Sequence, residues 1–159
     1  MTTETQQREG ISVALGRIPS GVFISTAKSG DQKVGMLTSW VMQAGFEPPT
    51  VTVAVHPERE LMKIVEEAGV FSINVLAKDN LGLMKTFGKY TPNQFDEVEY
   101  RDSDWGLVLP DAVAVLHCRV KERIDAADHS VLVAVVEDGE GLTMDQEPFV
   151  HLRKNGFSY

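Results

Sequence analysis

The stretch "GMLTSWVMQAGFEPPTVTVAV", Gly35 to Val55, decides how this chain folds. It is mostly apolar. It reads as a strand beginning near Val34 and a second strand over 50–56, joined at the break "EPP", 47–49. Thr38, Ser39, Trp40 and Gln43 interrupt the first strand where a plain core strand carries Val, Ile or Leu. Two readings of the residues alone remain open. The polar positions end a strand and Trp40 plugs a core, or the same positions form an edge that faces a polar ligand.

The flanking sequence builds the frame. Upstream, Ile11, Ala14, Leu15 and Ile18 share one helical face, and Pro19 and Gly21 are expected to stop that helix. "VFISTA", 22–27, is β-branched and aromatic, and "KSGDQK" turns it into a hairpin with the strand near Val34. Downstream, "PERELMKIVEEAG", 57–69, places Leu61, Ile64, Val65 and Ala68 on one face of a helix ended by Gly69. Strand 70–77 and a short helix over 80–89 follow; 90–111 reads as irregular. Strands are expected at 112–124, 130–137 and 148–152, with "VEDGEG", 136–141, as a turn.

No strand–helix–strand repeat is sustained, so a doubly wound parallel sheet is disfavoured. Short strands between Gly/Pro turns predict a mainly β fold with short helices, an antiparallel and partly closed barrel. One domain over 1–159 is expected, with 1–9 a polar, loosely ordered N-terminus. "SVLVAVV", 130–136, is apolar on both alternating faces, so its outer face needs a cover, either a helix or a partner subunit.

Composition narrows the function. The net charge of −8 argues against nucleic acid as a partner, since phosphate backbones require a basic face. Cys118 is the single cysteine, so no disulfide pair or cysteine cluster can form within the chain, and a reducing, cytoplasmic setting fits. No apolar run approaches the roughly 18 residues of a membrane span. "GDQKVGML" has the glycine spacing of a phosphate loop, but Met36 and Leu37 stand where Lys and Ser/Thr are required. No G-x-G-x-x-G or G-x-S-x-G is present. His56, His117, His129 and His151 are scattered, without the spacing of a helix-borne metal site, so no metal is expected. Cys118 alternates with Leu116 and Val120 and reads as core.

Four pieces of the chain carry a family likeness. They are "ALGRIPSGVFISTAKSGDQKVGMLTSWVMQAGFEPPTVTVAV", "FSINVLAKDNLGLMKTFGK", "ADHSVLVAVVEDG" and "VHLRKNGFSY", in order from Ala14 to Tyr159. Through them the chain resembles the flavin reductase-like family, the FMN-binding split barrels. More narrowly it resembles the C-terminal flavin reductase module of cyanobacterial flavodiiron proteins. The metal-binding and flavodoxin-like domains of those proteins are absent from the 159 residues, so di-iron oxygen reduction is not expected of this chain.

The resemblance implies an antiparallel split barrel, a homodimer, and FMN held near the dimer interface, with FAD the other option. It implies that Thr38, Ser39, Trp40, Gln43 and Ala44 line the ribityl chain and ring. It puts Lys89, beside Phe87 and Gly88, near the phosphate. It makes His129 the catalytic candidate, on the nicotinamide side. The implied reaction is hydride transfer from C4 of NADH or NADPH to flavin N5, with an oxygenase or other electron acceptor downstream. The competing reading is an FMN electron carrier or ferric reductase fed by another protein, without direct NAD(P)H oxidation.

Overall fold

A computed structural model describes residues 1–159. In chain order the elements are α1 (Thr3–Gly16), β1 (Ser20–Gly21), β2 (Phe23–Ser29), β3 (Gln32–Thr38), β4 (Val41–Phe46) and β5 (Pro49–Val55). Then come α2 (Glu60–Ala68), β6 (Val70–Val75), α3 (Leu81–Phe87), β7 (Arg101–Asp102), β8 (Leu107–Val108), β9 (Ala114–Ala126), β10 (His129–Gly141) and β11 (Val150–His151). Seven strands form one sheet in the order β3-β2-β6-β9-β10-β5-β4, and every pairing is antiparallel.

The expected single strand through Thr38–Gln43 is instead two strands. β3 and β4 lie at opposite edges of the sheet, yet only Ser39 and Trp40 separate them. A flat sheet of seven strands spans six spacings of about 4.8 Å, or roughly 29 Å. Three peptide steps, Thr38 to Val41, reach at most about 11 Å. The sheet must therefore curl until its edges nearly meet, which makes a barrel slit between β3 and β4. The slit is the split of a split barrel. The Ala54 N–H donates to the Trp40 carbonyl at 3.0 Å and fixes the crossing segment against β5.

The core follows from strand alternation and one helix face. Val51, Val53 and Val55 of β5 point inward, alternating with half-buried Thr50, Thr52 and Ala54. α2 lies across β2, β3 and β6 and buries Leu61, Met62, Ile64 and Val65, each worth about 1.5–3 kcal/mol. Gly69 ends α2 at φ 72°, a left-handed conformation that favours glycine. A second apolar cluster joins Val22, Ile24, Leu76, Phe87, Leu109 and Ala112.

Polar side chains inside the sheet are partnered. Asn74 donates to the carbonyls of Ile24 and Leu107 and accepts from the Leu109 N–H. The Thr26 hydroxyl donates to the Leu107 carbonyl at 2.7 Å and accepts from the Leu107 N–H. Ser25 and Thr38 share a hydrogen bond of 2.9 Å, and Ser72 pairs with His117 Nδ1 at 2.8 Å. Cys118 is fully buried, and burial pushes its thiol up to about 12, as a core cysteine requires.

Four other expectations change. Residues 3–9, expected to be loosely ordered, are the first half of α1; Thr2 caps it by accepting from the Thr5 N–H. α1 stops at Gly16, before Pro19, which leaves Ile18 outside the helix, and Ile11 and Leu15 stay exposed. "VEDGEG" is not a turn: β10 runs through it to Gly141, absorbing the glycines by a register shift between Val136 and Asp138. The region 90–111 is less irregular than its composition implies, because β7 and β8 pair and Leu107–Leu109 are buried. The outer-face Val131, Val133 and Val135 of β10 are half-buried, and α2 packs elsewhere on the sheet.

A candidate flavin site at the barrel slit

A cavity opens beside the crossing segment, on the β3 side of the slit. It holds about 160 Å³. Its wall takes Val34 to Trp40 from β3 and the crossing, Ala54 from β5, and Arg59, Glu60 and Leu61 from the start of α2. Phe87, Gly88, Tyr90 and Tyr159 complete it. Gly35 is obligatory in this wall, because a Cβ there would lie 2.4 Å from the Phe87 ring.

Backbone and charge in the wall suit a phosphorylated, polar-edged ligand. β3 pairs with β2 on one side only, so alternate N–H and C=O groups of β3 face away from the sheet. The Gly35 N–H is one of these and donates to the Gln94 side-chain carbonyl at 2.9 Å. By alternation the Leu37 N–H and C=O share that outer edge. Ser39 makes no side-chain hydrogen bond within the chain, whereas the Thr38 hydroxyl is engaged by Ser25. Arg59 is the only cation in the lining, and it forms no ion pair. It stands at the N-terminus of α2, where helix geometry also favours an anion. The neighbouring Glu60 is partly offset by Lys63, 3.0 Å away.

The rim is aromatic. Trp40 packs against His129 and Tyr159, with ring centroids 4.8 and 5.3 Å away. The Arg153 guanidinium lies 5.4 Å from the Trp40 ring centre. His129 is held at both nitrogens, with Nδ1 2.9 Å from Asp128 Oδ1 and Nε2 2.5 Å from the Tyr159 hydroxyl. The hydrogen bond from His129 holds the Asp128 carboxyl below the usual carboxylate range. Burial pushes the Tyr159 phenol above the usual tyrosine range. His56 sits 5.6 Å from His129, an encounter that sequence spacing gave no reason to expect.

The fold gathers five of the expected cofactor residues, Thr38, Ser39, Trp40, Phe87 and Gly88, into this one cavity. His129 stands behind its Trp40–Tyr159 rim. Lys89 is exposed and outside the lining. Gln43 and Ala44 lie exposed on β4; Gln43 borders a separate apolar groove with Phe23, Met42 and Leu116. Arg59 and Tyr90 were missed. The signal for Arg59 was a lone cation at the expected start of an amphipathic helix, directly after a confident strand.

A curled antiparallel sheet whose edge strands are joined by a two-residue crossing defines a split barrel. The model of the Flavin reductase like domain matches residues 15–158, and the chain belongs to that family. Diflavin flavoprotein A 1 of Synechocystis sp. strain PCC 6803 is 37% identical over 151 residues, covering 92% of this chain and 26% of that protein. The chain thus spans about a quarter of the length of that relative.

The fold recurs in solved structures. A nitrilotriacetate monooxygenase component B homologue from Mycobacterium thermoresistibile superposes with a TM-score of 0.84 at 23% identity, over 96% of this chain and 86% of that one. The NADH:FAD oxidoreductase of Streptomyces globisporus C-1027, solved with NAD and FAD fragments, gives 0.82 at 20% identity, over 96% and 90%. No helix is long and apolar enough to cross a membrane.

Proposed function

We propose that this chain is an NAD(P)H-dependent flavin reductase that binds FMN in the cavity at the slit. The observation that carries the reading is that the unpaired Arg59 and the outer edge of β3 line one cavity together with the Trp40–Tyr159 pair. Family membership supports the same chemistry, as does the likeness in fold to the Streptomyces globisporus NADH:FAD oxidoreductase.

The residues fit the group. Arg59 and the first turn of α2 supply positive charge for a phosphate. Ser39 supplies a free hydroxyl for the ribityl chain. The β3 edge supplies N–H and C=O groups for the polar margin of the ring. A bound flavin supplies the hydride acceptor that no side chain here can be. The chain's own task is to align a reduced nicotinamide and to limit water, which Trp40, Tyr159 and His129 do from the rim.

The cavity within one chain is smaller than the roughly 300 Å³ at the low end of ligand pockets. That supports a homodimer in which a second copy covers the open side and the half-buried Val131, Val133 and Val135. The same reading takes the protein to be cytoplasmic, in line with one buried, unpaired cysteine. A downstream oxygenase or other acceptor would take the electrons.

The test is anaerobic mixing of protein, FMN and NADH or NADPH in a stopped-flow instrument. The flavin's visible absorbance is expected to bleach within seconds. No bleaching with either nucleotide, while a chemical reductant does bleach the bound flavin, overturns the reductase reading in favour of a partner-fed carrier.

A further inference from the structure

The segment after β11 is seated on α1 at two glycines. A side chain at Gly156 would meet Leu15 Cβ at 2.3 Å and the Ser12 carbonyl at 2.9 Å; one at Gly16 would meet the Arg153 carbonyl at 3.0 Å. The close approach is held by the Gly156 N–H donating to the Ser12 hydroxyl at 3.3 Å and by Arg153 donating to the Leu15 carbonyl at 3.3 Å. Arg8 lies over the Phe157 ring at 4.5 Å. This seat delivers Tyr159 to the cavity wall, against Trp40 and within reach of His129.

With His129 as the neutral imidazole, the Asp128 carboxylate, which can only accept, takes the Nδ1 proton. Nε2 is then a lone pair, and the group 2.5 Å from it is the Tyr159 hydroxyl. Tyr159 remains a phenol, because burial raises its pKa. Its single proton is therefore spent on His129. What remains available toward the cavity is the pair of acceptor sites on the phenolic oxygen.

We propose that Tyr159, polarised by the Asp128–His129 pair, accepts a hydrogen bond from an amide N–H of the second substrate, and so selects and positions it. Resting on the reductase reading above, that amide is the carboxamide NH2 of the reduced nicotinamide. Tyr159 is then a positioning residue for the hydride donor, and Asp128 sets its polarity through His129 without touching the substrate.

The test compares whichever of NADH or NADPH the enzyme prefers with its reduced 3-acetylpyridine counterpart, which carries a methyl ketone and has no amide N–H. Steady-state KM and kcat are measured for both, in the wild type and in Tyr159→Phe. Tyr159→Phe is expected to raise KM for the natural nucleotide roughly fivefold, the worth of one neutral hydrogen bond. KM for the analogue should stay within about twofold. Gly156→Ala, which forces the segment off α1, should give the same nucleotide-selective loss. Equal shifts for both nucleotides, or a kcat loss with KM unchanged, overturn the proposal and leave the reductase reading standing. A wild type that oxidises no reduced nicotinamide overturns both.

Discussion

Thr38 and Ser39 are adjacent hydroxyl residues that belong to two different polar regions. Thr38 closes a buried set with Ser25, while Asn74 and Thr26 lie deeper under β8; these side chains find their partners inside the chain. Ser39 opens a second set, with Arg59 and the Leu37 portion of the outer β3 edge, for which no side-chain partner stands within the chain; Gln94 takes only the Gly35 N–H. Buried polar groups without partners are costly, so the first set is built to satisfy itself. The second set keeps its capacity at a solvent-reachable slit, where an added ligand can take it up. The contrast separates polar residues that hold a fold from those that hold a ligand, and residue type alone does not make that distinction.

Four measurements test the contrast. The largest effect belongs to the buried set. Asn74→Ala removes three hydrogen bonds and should cost about 3 kcal/mol or more, read from the urea midpoint. A cost near zero would erase the distinction.

Next is Arg59→Ala, which should weaken FMN binding about 10- to 100-fold, the worth of a charge-assisted hydrogen bond, and leave the midpoint unchanged. Riboflavin, lacking the phosphate, should bind both forms alike. Lys89→Ala, outside the cavity, should cost less; a larger loss at Lys89 would move the phosphate to the α3 side.

The sharpest comparison is between the neighbours. Thr38→Val should lower stability by about 1 kcal/mol with little change in flavin affinity, and Ser39→Ala should do the reverse. Fluorescence quenching of the flavin and a denaturation curve, run on both variants, decide it.

The smallest effect is a pH dependence. Burial lowers the pKa of His117, with Asp138 opposing, so below the ordinary value of 6.5 the unfolded chain takes up a proton more readily than the fold. Stability should therefore decline as pH falls from 6.5 toward the folded pKa. His117→Gln should flatten that slope in a series of denaturation curves.

Much of the fold was legible because alternation and helix periodicity report burial directly. β2, β5, β6 and α2 lie where Val, Ile and Phe spacing puts them. The break between β3 and β4 was not, since "TSW" contains neither Gly nor Pro and both flanking segments have strand character. What separates them is a change of sheet edge, a tertiary event with no local signature. The site was partly legible for the same reason. Family likeness marked Thr38 to Trp40, Phe87 and Gly88, which the cavity unites. Arg59 and the meeting of His56 with His129 come from elements distant in sequence, and only closure of the barrel brings them together.

The crossing at Ser39–Trp40 sets a ruler as well as a wall. Because three peptide steps bridge the two edges, the gap between them is limited by chain length before any packing applies. Each residue inserted there would let the seam widen by up to about 3.5 Å, close to the thickness of one aromatic ring. The separation of the two sheet edges at the crossing is thus set by the number of residues between Thr38 and Val41.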